Sequence, residues 1–182
     1  MGQRKTKKKA WEWFEIAAEN NSAYAHQMLK ISVANNGGIH PYYTEYADFW
    51  TWYEKGALAG VPIAQYEFGA REEGRVNTIV RRTYGPGSKE YYKQMSIALE
   101  WIEKAAKQGN SNATNHLKDK ISNLEKNYES GRYPRIAAME LAIMHFKGLG
   151  VQKNRDKADM WIEKSGYAKP FFGKSFLDSF ED

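Results

Sequence analysis

Trp101-Ile102-Glu103-Lys104-Ala105-Ala106-Lys107 is the stretch that decides the fold, because near-copies of it recur without gaps. Trp13-Phe14-Glu15-Ile16-Ala17-Ala18-Glu19 and Trp52-Tyr53-Glu54-Lys55-Gly56-Ala57-Leu58 align with it, and Trp161-Ile162-Glu163-Lys164-Ser165-Gly166 repeats its opening before diverging. Positions i, i+1, i+4 and i+5 of the stretch form one stripe of a helix. The tryptophan supplies apolar area, and the small pair lets a neighbouring helix approach closely. An alanine follows each of the first three tryptophans at an offset of 12 residues, as Ala25, Ala64 and Ala113. In the last unit Ala137 precedes Trp161 by 24 residues, so a closed unit is 36 residues long, the length of a two-helix repeat. The helix junction keeps its length while the connection on the other side varies, which is how repeat arrays collect insertions on one face.

The junctions carry their own punctuation. Gly60 and Gly109 suit the left-handed position that ends a helix, with Asn20 and Asn21 as substitutes. Ser22 and Ser111 are expected to cap the helices that follow, and Pro62 suits a first turn. Each helix pair leaves an apolar stripe uncovered, so the units must stack. The expected fold is an all-α solenoid of about eight helices in antiparallel pairs with irregular insertions. Residues 1–9 form a basic segment, 10–166 the repeat array, and 167–182 an aromatic cap or tail carrying Phe171, Phe172, Phe176 and Phe180.

The last unit extends the pattern: Ala137-Ala138-Met139-Glu140-Leu141-Ala142-Ile143-Met144-His145, then Gly148-Leu149-Gly150-Val151, then Asp156-Lys157-Ala158 and Trp161-Ile162-Glu163-Lys164. With Ala64 and Phe68-Gly69, and with Ala113 and Leu117, these residues resemble the Sel1-like repeat family, an α-solenoid related to tetratricopeptide repeats. The resemblance covers about three quarters of the chain and departs from the family in four respects. Only the last unit keeps Gly-x-Gly-Val. The third unit is lengthened by an insertion from about Val76 to Glu90. A spare first-type helix, about Ser111 to Asn127, breaks strict alternation, and the chain opens on a second-type helix.

The formal net charge is +5, and Arg4, Lys5, Lys7, Lys8 and Lys9 account for it. Without them the chain has 22 basic and 22 acidic residues, so the body is neutral and a nucleic-acid role is not expected. There is no cysteine, which excludes thiol catalysis and thiolate metal sites. No stretch approaches the apolar length of a membrane span. His26, His40, His116 and His145 lack metal-ligand spacing, and Tyr84-Gly85-Pro86-Gly87-Ser88-Lys89 lacks the spacing of a phosphate loop and reads as a turn. No catalytic residue, cofactor or metal is assigned, and the protein is not expected to be an enzyme.

Trp13, Trp52, Trp101 and Trp161 are expected in the core as repeat positions, with Ala25, Ala64, Ala113 and Ala137 as their junction partners. Binding residues are sought in the insertions. Tyr42 and Tyr43 mark one aromatic loop; Arg81, Arg82, Tyr84 and Tyr91 mark the other, with the arginine–tyrosine composition of protein-binding hot spots. The competing expectation is a solvated loop whose arginines, Arg71, Arg75, Arg81 and Arg82, pair with local acids such as Glu72 and Glu73. What the resemblance implies is a bacterial-type scaffold for a partner protein, in its sharpest form an immunity protein that neutralises a secreted toxin. A signalling or assembly adaptor in the bacterial envelope is the alternative, and peptidoglycan- or nucleic-acid-associated binding the third. The compartment expected is the bacterial cytoplasm, or the periplasm where a signal has been removed.

Overall fold

The computed structural model describes residues 9, 12–18, 20, 22–28, 53–167 and 177. Every regular element among them is helical: residues 12–18 (α1), 23–28 (α2) and 53–58 (α3), then α4 (Pro62–Arg75), a π-helical turn (Val76–Val80), α5 (Arg81–Tyr84), α6 (Lys89–Lys107), α7 (Ser111–Glu129), α8 (Pro134–Lys147) and α9 (Arg155–Ser165). No described helix is long and apolar enough to cross a membrane.

The junctions are built by local chemistry. Gly60 and Gly109 take φ of +88° and +85°, where a Cβ is disfavoured, and each reverses the chain after a Trp-bearing segment. Pro62 opens α4 in its first turn, where its missing N–H costs nothing. Ser22 Oγ accepts a hydrogen bond from the Ala25 N–H at 3.2 Å and so caps α2. The cap of α7 is Asn110 and not Ser111: Asn110 is extended, and its Oδ1 accepts from the Ala113 N–H at 3.0 Å. With the chain already turned at Gly109, Ser111 becomes the first helical residue and its side chain lies past the cap position.

Ala25, Ala64, Ala113 and Ala137 are all buried, at the places where helices pack closest. The tryptophans differ more than their alignment suggests. Trp161 is buried, with Tyr128 edge-on at 5.3 Å and the Lys164 ammonium 4.3 Å from its ring centroid. Trp101 is half-buried, edge-on to Phe68 at 5.6 Å with Lys104 over its other face at 4.1 Å. Trp13 is 70% exposed, which corrects the expectation of a core residue; in α1 the ring that meets the next helix is Phe14, 6.4 Å from Tyr24. Trp52 lies outside the described residues.

The largest departure is the insertion. The stretch expected to be a loop from Val76 to Glu90 is helical for most of its length, and only Gly85 to Ser88 forms a turn. Val76 and Val80 are the reason: both are buried in the main core, and they pin the extension of α4 to the body. The Arg81 N–H reaches back five residues to the Val76 carbonyl, the signature of a π turn. Ser88 Oγ then caps α6 by accepting from the Tyr91 N–H at 3.1 Å.

The buried residues form two clusters. A small one joins Ala18, Ala25, Tyr53, Val61 and Ala64. The main one runs from Val76 to Ile162 and includes Leu177, which is fully buried. Its centre is α8, where ten consecutive residues from Ala137 to Phe146 are buried on all sides by its neighbours.

Two glycines of α4 give a paired test. A Cβ on Gly69 would lie 2.8 Å from the Ala98 carbonyl oxygen and 2.8 Å from Ile102 Cγ1, so α4 and α6 could not keep their spacing. A Cβ on Gly74 would meet nothing within 4 Å. Gly69→Ala is expected to destabilise by about 1–3 kcal/mol, overpacking outweighing the better helix propensity of alanine. Gly74→Ala is expected to stabilise by about 0.5–1 kcal/mol. Urea titration of the two variants checks the opposite signs.

Candidate functional site

α7 places polar residues where a packed helix would carry apolar ones. His116, Lys120, Asn123 and Asn127 follow one another at i, i+4, i+7 and i+11, and all four line a cleft of about 470 Å³ facing α4, the π turn and the start of α8. From the opposite wall come Glu73, Asn77 and Arg81. Positions four apart on an α-helix drift by about 40° per step; the wider π turn takes up that drift and keeps Arg81 facing the cleft below Asn77. α8 closes the third side with Ile136, Ala137 and Glu140.

The floor is a buried ionic network linking three helices. Lys120 Nζ lies 2.8 Å from Glu73 Oε1 and 2.8 Å from Glu140 Oε2, so one ammonium bridges α4 and α8 from α7. His116 Nε2 lies 2.6 Å from Glu73 Oε2. The Tyr91 hydroxyl, brought in by the first turn of α6, donates to Glu140 Oε1 at 2.7 Å. Burial alone would raise the Glu73 carboxyl, but the hydrogen bond from His116 and the charge and hydrogen bond of Lys120 outweigh it and hold the group at about 2. Burial would lower Lys120, yet the Glu140 and Glu73 carboxylates raise it above the ordinary lysine range. Tyr91 is raised, first by burial and then by the charge of Glu140. Glu73 and Lys120 therefore stay ionised as a pair across the physiological range.

The residues singled out in the sequence separate into three groups. Arg81, Arg82 and Tyr84 are exposed, and the Arg81 guanidinium sits 5.4 Å from the centroid of the Tyr133 ring at the mouth of the cleft. Tyr91 is only 4% exposed, which corrects its assignment as a surface contact: its ring is core, and its hydroxyl is committed to Glu140. Tyr42 and Tyr43 lie outside the described residues. The expected pairing of arginines with local acids holds for Glu72, whose Oε2 is 2.6 Å from Arg75 Nε. Glu73 points the other way, into the network. Sequence reasoning passed over Glu73, Lys120 and Glu140, although two signals were present: the polar inward stripe of α7, and a single glutamate within the apolar run of α8.

The Sel1 repeat profile matches residues 2–22, 83–110 and 135–168. Three stretches of the chain are thus similar to the Sel1 repeat. Such repeats form helical solenoids and serve in general as protein–protein interaction modules. No curated protein matches the chain significantly. The matched regions leave out Glu73, Asn77, Arg81 and all of α7, so the cleft is built mainly from what lies between them, with its α8 wall, Pro86 and Tyr91 inside. The unit around Trp52 is also outside the match.

Because the folded Glu73 carboxyl lies below its unfolded value of 4.5, its contribution is full above pH 4.5 and is lost as pH falls toward about 2. The amount at stake is on the order of 3 kcal/mol. Thermal unfolding between pH 6 and pH 2 is expected to show a steeper acid loss for the wild type than for Glu73→Gln. Lys120→Met, which strands two buried carboxylates, is expected to cost about 3–5 kcal/mol at pH 7.

Proposed function

We propose that this protein is a non-enzymatic scaffold that holds a partner protein on the face made by the π turn, α5 and the mouth of the cleft. One observation supports this most. Arg81, Arg82 and Arg132 make no ion pair among the described residues, and beside them Ile79, Tyr84 and Tyr133 are each more than half exposed, at 60%, 60% and 57%. Arginine and tyrosine on a rigid support are the usual composition of an interaction hot spot. The support here is rigid because Val76 and Val80 anchor the inner side of the same turn in the core. Unpaired cations favour a partner that is acidic where it meets this face.

The sharper form of the reading is an immunity protein that neutralises a secreted bacterial toxin; it takes its support from the family resemblance. The domain reading belongs to the same proposal: a basic segment 1–9, an array 10–166 and a cap 167–182, the last supported by the complete burial of Leu177.

Replacing Ile79, Arg82 and Tyr84 together by alanine leaves the core untouched, and stability is expected to change by less than about 0.5 kcal/mol per site. Affinity for a partner captured from native lysate is expected to fall about 30-fold, or ~2 kcal/mol. Capture by wild type followed by titration of the triple variant tests this, and unchanged affinity refutes the face. Co-expression with a captured toxin, scored by cell survival, tests the immunity form.

A further inference from the structure

The cleft is electrically polarised along its length. On the α4 side the order is Glu73, Asn77, Arg81; on the α7 side His116, Asp119 and Lys120 come first, then Asn123 and Asn127, and then Arg132 in the following turn. The two walls run in register, because Lys120 meets Glu73 at one end and Tyr133 lies under Arg81 at the other. At the first end three carboxylates, Glu73, Asp119 and Glu140, face one ammonium, Lys120. That leaves an excess of two negative charges with His116 neutral and one with it protonated. Asp119 makes no ion pair among the described residues. At the second end Arg81 and Arg132 are likewise unpaired. Between the ends the walls carry carboxamides, groups that both donate and accept as a peptide unit does.

The mouth is held in an unusual backbone state. Tyr133 has φ of +53°, the one non-glycine residue with positive φ among those described, and it precedes Pro134, which disfavours helical geometry at that site. Its ring is thereby fixed beneath the Arg81 guanidinium. Backbone strain of this kind persists where the surrounding structure imposes it, and here it orients a cation at the entrance.

We propose that the cleft receives an extended segment of the partner protein, carrying a lysine or arginine and, three or four residues away, an aspartate or glutamate. This rests on the reading of the protein as a scaffold for a protein partner. The spacing follows from the geometry. Glu73 and Arg81 are eight residues apart on a helical axis, about 12 Å at 1.5 Å per residue. An extended chain covers that distance in three or four residues at about 3.3 Å each. The basic side chain goes to the exposed Asp119, at the end where the carboxylates outnumber the ammonium, the acidic one to Arg81 and Arg132, and the peptide groups between them to Asn77, Asn123 and Asn127. A polyanion would meet the excess carboxylates and a polycation the unpaired guanidiniums, so either is rejected at one end.

The probe is the peptide acetyl-Lys-Ser-Thr-Ser-Glu-amide, compared with versions bearing lysine at both ends or glutamate at both ends. Binding is read from the side-chain amide signals of Asn123 and Asn127 in nitrogen–proton correlation spectra. The mixed-charge peptide is expected to shift them saturably and to bind at least about tenfold more tightly than either like-charged peptide. The double variant Asp119→Asn/Arg132→Gln alters two exposed side chains; its circular dichroism is expected to match wild type while the mixed-charge preference disappears. Equal binding of all three peptides, tighter binding of a like-charged one, or no saturable shift up to about 10 mM overturns the inference. The same double variant is then titrated against the captured partner. Undiminished affinity there, with the Ile79/Arg82/Tyr84 variant weakened, removes the cleft from the interface and leaves the scaffold reading standing.

Discussion

Burying a helix on every side forces its one carboxylate to be neutralised, and this protein meets that demand with a single lysine. Glu140 lies in the middle of α8, flanked by residues that are all inaccessible to water. An unpaired carboxylate there would cost several kcal/mol. Lys120 answers it from α7 and reaches Glu73 with the same ammonium, so the spare helix, the central helix and the extension of α4 are tied at one point. A buried pair of this kind is a weak source of net stability compared with well-packed apolar groups. Its effect is on arrangement: only one register of α4, α7 and α8 brings all three charges together.

That tie explains how an irregular array stays ordered. Regular solenoids stack each helix pair on the next by repeating the same apolar contacts. Here α7 interrupts the alternation, and its inward stripe is largely polar, with Ala113, Leu117 and Leu124 as its buried residues. Apolar stacking alone would hold α7 poorly. The ionic network, together with the turn in which the Gly150 N–H donates to Glu103 Oε2 at 2.8 Å, substitutes for the missing repeat contacts. The space left beside a polar stripe is the cleft.

How much of this could be read from the chain depends on the distance over which each interaction acts. Helix pairs, the turns at Gly60 and Gly109, and the opening at Pro62 are local, and the aligned tryptophans and alanines expose them. The N-cap of α7 was misplaced by one residue because Asn and Ser stand side by side and either can accept. The helical state of 76–84 was hidden for a different reason. Gly74, Asn77, Thr78 and Thr83 are poor helix formers, and burial of Val76 and Val80 overrides them. The site was the least legible part. Tyr91 and Glu140 are 49 residues apart, and Glu73 and Lys120 are 47 apart, so nothing in either neighbourhood names the other. The polar stripe of α7 and the lone glutamate in the apolar run of α8 are the two marks the cleft leaves in the sequence, and tyrosine beside arginine reads more readily as surface than as core.

The separation of the buried residues into two clusters bears on how the molecule opens. Among the described residues the small cluster consists of three alanines, one tyrosine and one valine, all before Val76, while the main one gathers the large side chains of α6 to α9. Amide protons deep in a packed core exchange only when that core comes apart, so those of α6 and α8 should exchange by global opening. The cleft, walled by α7, α8 and an extension anchored at Val76 and Val80, belongs to the slow compartment. A ligand held there would meet walls that stay in place until the core itself gives way.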